Sequence, residues 1–175
     1  MRTLVVGGSG SGKSAYAEQL ACSRSADRAY LATMAHVGAE AHERIARHRA
    51  QRAGLGFVTY ERVGGLCPLP PSGGVVLLDD LGNLVSNALF APDGTMADPR
   101  GVLDQLDSEL RELEERFEHV VVVGIEVGSA GAYPYEATNA WIRTLGALSC
   151  RLAARYDEVI EVVAGIACIV KEAAA

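Results

Sequence analysis

Gly7, Gly8, Ser9, Gly10, Ser11, Gly12, Lys13 and Ser14 satisfy the phosphate-loop pattern G-x-x-x-x-G-K-[ST] without a mismatch. An apolar run at residues 4–6 precedes them and a helix-forming stretch at 15–21 follows, so the strand–loop–helix context is present. Glycines let such a loop curl until successive backbone N–H groups point inward at phosphate oxygens. A helix starting near Lys13 turns its positive dipole end on the same spot. Lys13 then reaches the outer phosphates and the Ser14 hydroxyl ligands Mg²⁺. A plain Gly/Ser turn is the competing reading, and it leaves the Lys-Ser pair in register unexplained. The pattern implies a nucleoside triphosphate ligand.

A chain of 175 residues is the size of one nucleotide-binding domain, 1–175, with room for a substantial core. Its net charge of −6 argues against a general nucleic-acid binder, because a phosphate backbone demands a basic face. One segment runs against that balance. Residues 42–52 carry Arg44, Arg47, Arg49 and Arg52 against Glu43, a patch suited to a small anionic ligand. Cys22, Cys67, Cys150 and Cys168 are far apart and form no C-x-x-C pair, so reduced thiols in a cytosol are the default. No apolar run approaches the roughly 18–20 residues of a membrane span, and the N-terminus reads as a core strand, not a signal peptide. A cytoplasmic enzyme is expected.

Apolar β-rich runs recur at 3–6, 29–33, 75–78, 120–125 and 159–163. Several are continuous, as strands covered on both faces of a parallel sheet should be. Between them lie helical segments. The clearest spans 99–118, with Leu103, Leu106, Leu110, Leu113 and Phe117 at helical spacing, Asp98 as N-cap and Pro99 in the first turn. The alternation predicts an α/β fold of P-loop NTPase type, a mostly parallel sheet flanked by helices with right-handed crossovers. Residues 64–74 and 91–99 read as surface loops, and 158–171 as an edge hairpin turning at Ala164-Gly165. Residues 172–175 are expected to fray.

Asp79 and Asp80 end the run at 75–78, where a phosphate-loop protein places its Mg²⁺-organising carboxylate. A helix cap is the other use for an acid there, and sequence hardly separates the two; Asp79 is the choice for the metal. Glu126 ends another strand, as a general base or substrate contact or as a plain structural acid. His36, His42 and His48 are six residues apart, which does not suit metal-binding pairs on a helix. Arginines surround His48, favouring a neutral, nucleophilic imidazole and a triphosphate beside it, although an exposed helical histidine is often inert.

With these pieces assembled, the chain resembles the bifunctional adenosylcobinamide kinase / adenosylcobinamide-phosphate guanylyltransferase family of cobalamin biosynthesis. The resemblance is carried by L-V-V-G-G-S-G-S-G-K-S at 4–14, Y-L-A-T at 30–33, R-I-x-x-H-R-x-x-R at 44–52 and F-x-T-x-E at 57–61. It continues in V-L-L-D-x-L…L-V-S-N-x-L-F at 76–90, E-V-G at 126–128 and D-E-V…V-V-x-G-I at 157–166. It implies phosphorylation of adenosylcobinamide by ATP or GTP, with Mg²⁺, followed by GMP transfer from GTP through a histidine-GMP intermediate. The product is adenosylcobinamide-GDP. The matching nucleophile is His48. The matching nucleotide contacts are residues 7–14, Ala32, Thr33, Met34, Arg49, Ala50, Gln51, Arg52, Glu61 and Asp79. A homotrimer with sites at subunit boundaries is also implied.

The chain departs from the family pattern at Ile125, where Asn is usual, at Ala53, where Pro is usual, and over 141–149. The first and last fall in the part the resemblance assigns to the corrinoid or a neighbouring subunit. A phosphate-loop kinase of another small molecule would need residues 7–14 and Asp79 but no nucleophilic His48. A non-catalytic nucleotide-binding protein would need only the loop.

Overall fold

The computed structural model describes residues 1–35, 39–127 and 133–173, without the side chains of 39–42 and 44. His36, the side chains of His42 and Arg44, Gly128 and the last two residues therefore lie outside the described residues. In chain order the elements are β1 (Arg2–Val6), α1 (Lys13–Arg24), β2 (Arg28–Ala32), α2 (Ala39–Arg52), β3 (Phe57–Glu61) and β4 (Gly73–Asp79). They continue with α3 (Leu81–Leu89), α4 (Pro99–Arg116), β5 (Phe117–Val123), α5 (Glu136–Arg155), β6 (Glu158–Val163) and β7 (Ile166–Lys171).

The strands form one sheet in the order β3-β2-β4-β5-β1-β6-β7. Every pairing is parallel except β6 with β7, the expected edge hairpin. Alternate residues of a strand face opposite sides, and both sides are covered. Val5, Leu77, Val121 and Val123 pack with Ala17 and Ala21 of α1. Leu4, Leu31, Val76, Leu78 and Val122 pack with Leu84 of α3, Leu106 and Leu110 of α4, and Leu148 and Leu152 of α5. Double coverage is why the central strands are apolar throughout.

Asp98 caps α4 by accepting from the Gly101 N–H at 2.8 Å, with Pro99 in the first turn. The helix stops at Arg116, two residues earlier than its periodicity suggests. Phe117 opens β5 instead, paired with Gly73 and still buried. The β-branched run behind it takes the chain into the sheet without a loop, and one apolar residue serves either period. β3 is a half-exposed edge strand that sequence patterning did not mark. No helix among the described residues is long and apolar enough to cross a membrane.

An ion network ties α4 to α5. Arg155 donates to Asp107 at 2.6 Å and to Glu114 at 2.8 Å, and Arg151 and Arg111 also face Asp107. Burial alone would raise the Asp107 carboxyl, but the Arg155 hydrogen bond and charge, aided by Arg111 and Arg151, hold it below its ordinary 3.8. A carboxyl held low in the folded chain contributes stability that is complete above its ordinary value and is lost as pH falls through the folded one. Asp107→Asn should therefore cost about 2 kcal/mol at about pH 7 and much less near about pH 3, read from urea unfolding at both. An equal cost at the two would contradict the clamp.

Candidate nucleotide and transfer site

The loop after β1 is shaped by contacts that leave no room for side chains. A Cβ on Gly7 would lie 2.5 Å from the Val162 carbonyl oxygen, and Gly12, the N-cap of α1, sits at φ 93°. The Gly165 N–H donates to the Ser11 carbonyl at 2.8 Å, so the β6–β7 turn rests directly on the loop. Lys13 is buried and its Nζ donates to the Gly8 carbonyl at 3.2 Å. The lysine is thus held across the loop's mouth at the N-terminus of α1.

Asp79 ends β4 facing this loop. The Ser14 hydroxyl donates to Asp79 Oδ1 at 3.2 Å, and the Tyr30 hydroxyl donates to Oδ2 at 2.8 Å. Burial first, and the Asp79 charge second, push the Tyr30 phenol far above its ordinary value, so it stays a donor. Asp80 acts differently, since its side chain accepts the Asn83 N–H at 2.8 Å and caps α3. Burial, together with the neighbouring Asp79, pushes the Asp80 carboxyl up, against the Asn83 bond and Lys13. Of the two adjacent acids that sequence hardly separated, Asp80 is the helix cap and Asp79 is the one that faces the phosphate loop.

Helix α2 closes the other side. The Arg52 guanidinium lies 3.5 Å from the centroid of the Tyr30 ring and 3.8 Å from Glu18 Oε1. Its Nη1 is buried without a hydrogen-bond partner. Burial raises the Glu18 carboxyl, with Arg52 pulling it down and Asp79 adding to the rise. Arg49 pairs with Glu61 of β3. His48 places Nδ1 at 3.9 Å from Asp79 Oδ2, an anion beside an imidazole for which the sequence shows only cationic neighbours.

These groups line one cavity of about 470 Å³. Of the expected residues, Ser9, Gly10, Ser11, Gly12, Lys13, Ser14, Ala32, Met34, His48, Arg49, Gln51, Arg52, Glu61 and Asp79 are on its wall. Gly7, Gly8, Thr33 and Ala50 are not. Gly7 is packed under the loop, Gly8 and Ala50 are exposed, and Thr33 is fully buried with its hydroxyl on the backbone of Asp80. Glu126 is exposed and off the wall, while its N–H donates to the Gly7 carbonyl at 3.1 Å.

Sequence reading did not name Glu18, Tyr30, Ile45 or Asn83 as site residues, yet they line the cavity, as does Ile125, which it singled out as a departure from the family pattern. Glu18 left a trace: an acid on the Ala17–Ala21 face of α1 is buried and needs a cation, and 42–52 is the basic patch available. The departures at Ile125 and Trp141 meet at one residue. A Cβ on Gly82 would lie 2.9 Å from Ile125 and 3.5 Å from Trp141, and Trp141 Nε1 donates to the Gly82 carbonyl at 3.0 Å.

Among the described residues no three His, Cys, Asp or Glu side chains gather as a metal cage. The Ser14 hydroxyl and Asp79 carboxylate are a pair of hard oxygens, the donor set Mg²⁺ takes when phosphates complete its shell.

A sequence profile described as cobinamide kinase / cobinamide phosphate guanyltransferase matches residues 3–170. The chain is 32% identical over 170 residues to the bifunctional adenosylcobalamin biosynthesis protein CobP of Pseudomonas aeruginosa, covering 95% of each. Among solved structures it resembles a prototypical ATPase from the type III secretion system of pathogenic bacteria. That superposition has a TM-score of 0.50 at 15% identity, covers 91% of this chain and spans half (50%) of the ATPase chain. It speaks for the fold alone, a P-loop NTPase-like α/β sheet.

Tyr30→Phe removes one donor from the Asp79 carboxylate while keeping the ring under Arg52. It should lower stability by about 1.5–3 kcal/mol, the range for a hydrogen bond to a charged group, measured by thermal or urea unfolding. Wild-type stability would show that Asp79 does not depend on this bond.

Proposed function

The chain belongs to the cobinamide kinase / cobinamide phosphate guanyltransferase family, and we propose that the cavity between the phosphate loop and α2 serves both reactions. One observation carries the reading. The Asp79 carboxylate touches Ser14 of the phosphate loop at 3.2 Å and faces His48 of α2 at 3.9 Å, so the phosphate seat and the nucleophile share an anchor.

In the first reaction, the triphosphate of ATP or GTP lies in the loop with Lys13 on its outer phosphates. The hydroxyl of the aminopropanol arm of adenosylcobinamide attacks the γ-phosphorus, the nucleoside diphosphate leaves, and the hydroxyl proton is released. A Mg²⁺ ion held by Ser14 and Asp79, directly or through water, supplies charge neutralisation for these phosphates when bound. The Lys13 ammonium and the N–H groups opening α1 are fixed before the nucleotide arrives, so they need no reorganisation as charge develops.

In the second, His48 attacks the α-phosphorus of GTP and pyrophosphate leaves, giving a histidine-GMP. A phosphate oxygen of adenosylcobinamide phosphate then displaces the histidine, yielding adenosylcobinamide-GDP and the free enzyme. A proton held on Nδ1 toward Asp79 puts the lone pair on Nε2, the form a nucleophile needs. Arg47, Arg49 and Arg52 on the same wall stabilise charge on the phosphoryl oxygens, and the open Nη1 of Arg52 gives it a donor to spend.

A cytoplasmic setting belongs to this reading and is supported by four free cysteines. So does a homotrimer with sites at subunit boundaries. A neighbouring copy would cover Ile166, Ile169 and Val170 of β7, which are otherwise an exposed apolar edge.

Lys13→Ala should weaken GTP binding about tenfold or more, the loss of one charge-assisted contact, with the fold retained. An unchanged dissociation constant would contradict the loop assignment. With GTP labelled at the α-phosphate, the wild-type protein should acquire acid-labile, base-stable label. His48→Ala should acquire none while still binding GTP, and His36→Ala and His42→Ala should label normally. Turnover without label would point instead to a kinase of another small molecule, and label persisting in His48→Ala would remove the histidine from its role.

A further inference from the structure

Thr33 lies where β2 leaves the sheet. The β2–β4 register ends at Ala32 opposite Asp79, and the Thr33 N–H makes one last, long backbone bond to the Asp79 carbonyl at 3.4 Å. Beyond it, at Asp80, a side chain takes over. The Thr33 hydroxyl donates to the Asp80 carbonyl at 2.8 Å and accepts the Asp80 N–H at 2.9 Å. One hydroxyl, with a single proton and two lone pairs, thus satisfies both polar groups of the residue that follows Asp79.

The clamp is itself held. Asn87 of α3 donates from Nδ2 to the Thr33 carbonyl at 2.8 Å. Thr33 is fully buried, and neither residue is on the cavity wall. On the far side of the junction Asp80 caps α3, and the Trp141 indole fixes the Gly82 carbonyl at 3.0 Å. The peptide carrying Asp79 is therefore gripped from behind, while its carboxylate meets Ser14 and Tyr30 in front.

We propose that Thr33 and Asn87 are positioning residues that aim the Asp79 carboxylate at Ser14 by fixing the β4–α3 junction from behind the cavity. The proposal rests on the assignment of Asp79 to the metal-organising role given above. Partners that orient a metal-organising carboxylate in this way usually change metal affinity or activity by about 10–100-fold when removed.

Thr33→Val keeps the shape and removes the hydroxyl, Thr33→Ser restores it, and Asn87→Ala removes the second bond without cutting into the core. Two readouts separate aiming from general stability: the Mg²⁺ concentration giving half-maximal nucleotide turnover, and the emission of Trp141, the one tryptophan of the chain, which touches the junction. Thr33→Val should raise the Mg²⁺ requirement about tenfold and shift the Trp141 emission, with GTP binding in EDTA within about twofold of wild type. Thr33→Ser should recover both. Asn87→Ala should move both in the same direction by less, and it decides the matter if Thr33→Val does not fold. A wild-type Mg²⁺ requirement with a lowered melting temperature would reduce the clamp to a structural role and overturn the proposal, as would failure of Thr33→Ser to recover. Asp79→Asn is the control for the underlying reading. If it leaves the Mg²⁺ requirement unchanged, the metal assignment falls, while the Trp141 emission of Thr33→Val still tests whether the clamp fixes the junction.

Discussion

A carboxylate buried at the end of a central strand is the constraint around which this site is organised. Asp79 is 9% exposed, and a charge so far from water is tolerated only when donors surround it. The Ser14 and Tyr30 hydroxyls supply two, from the phosphate loop and from β2, and His48 on α2 faces the same oxygen as Tyr30. Three separate elements are thereby drawn to one point. Tyr30 is in turn sandwiched between that carboxylate and the Arg52 guanidinium, which brings α2 and Glu18 of α1 into the same arrangement. Satisfying one buried charge brings the phosphate loop and His48 to the same carboxylate.

The sheet order makes this possible. The loop leaves β1 for α1 on one face of the sheet, whereas α3, α4 and α5 cover the other. β5 separates β1 from β4. The chain thus departs from β1 and from β4 toward opposite faces, and a crevice opens beyond the carboxyl ends of the strands, where open α/β sheets bind their ligands. Ile125, packed against Gly82, lines this crevice together with residues of α2. The small contact between the β6–β7 turn and Ser11 completes the loop's support from the outer strands.

Much of this was legible from residue order because it is local. The phosphate loop is eight consecutive residues, the acid follows a continuous apolar run, and α4 announces itself through periodicity, cap and first-turn proline. What was hidden is non-local. Tyr30 reads as one more apolar strand residue until the fold sets its hydroxyl against Asp79. His48 reads as a histidine among arginines until β4 brings a carboxylate beside it. Thr33 sits in a stretch that resemblance assigns to the nucleotide, yet the end of the β2–β4 ladder turns its hydroxyl onto the backbone of Asp80. Phe117 satisfied a helical period and a strand equally well, and the valines behind it decided for the strand.

The central claim is that one cavity, joined through Asp79, takes the nucleotide for both reactions. Equilibrium binding of a fluorescent, non-hydrolysable GTP analogue, followed by displacement with an ATP analogue, tests it most directly. The account predicts one nucleotide per chain, with the two analogues competing fully for it and Lys13→Ala weakening both. Two nucleotides per chain, or GTP analogue that saturating ATP analogue does not displace, would contradict it and require a second nucleotide site outside the cavity.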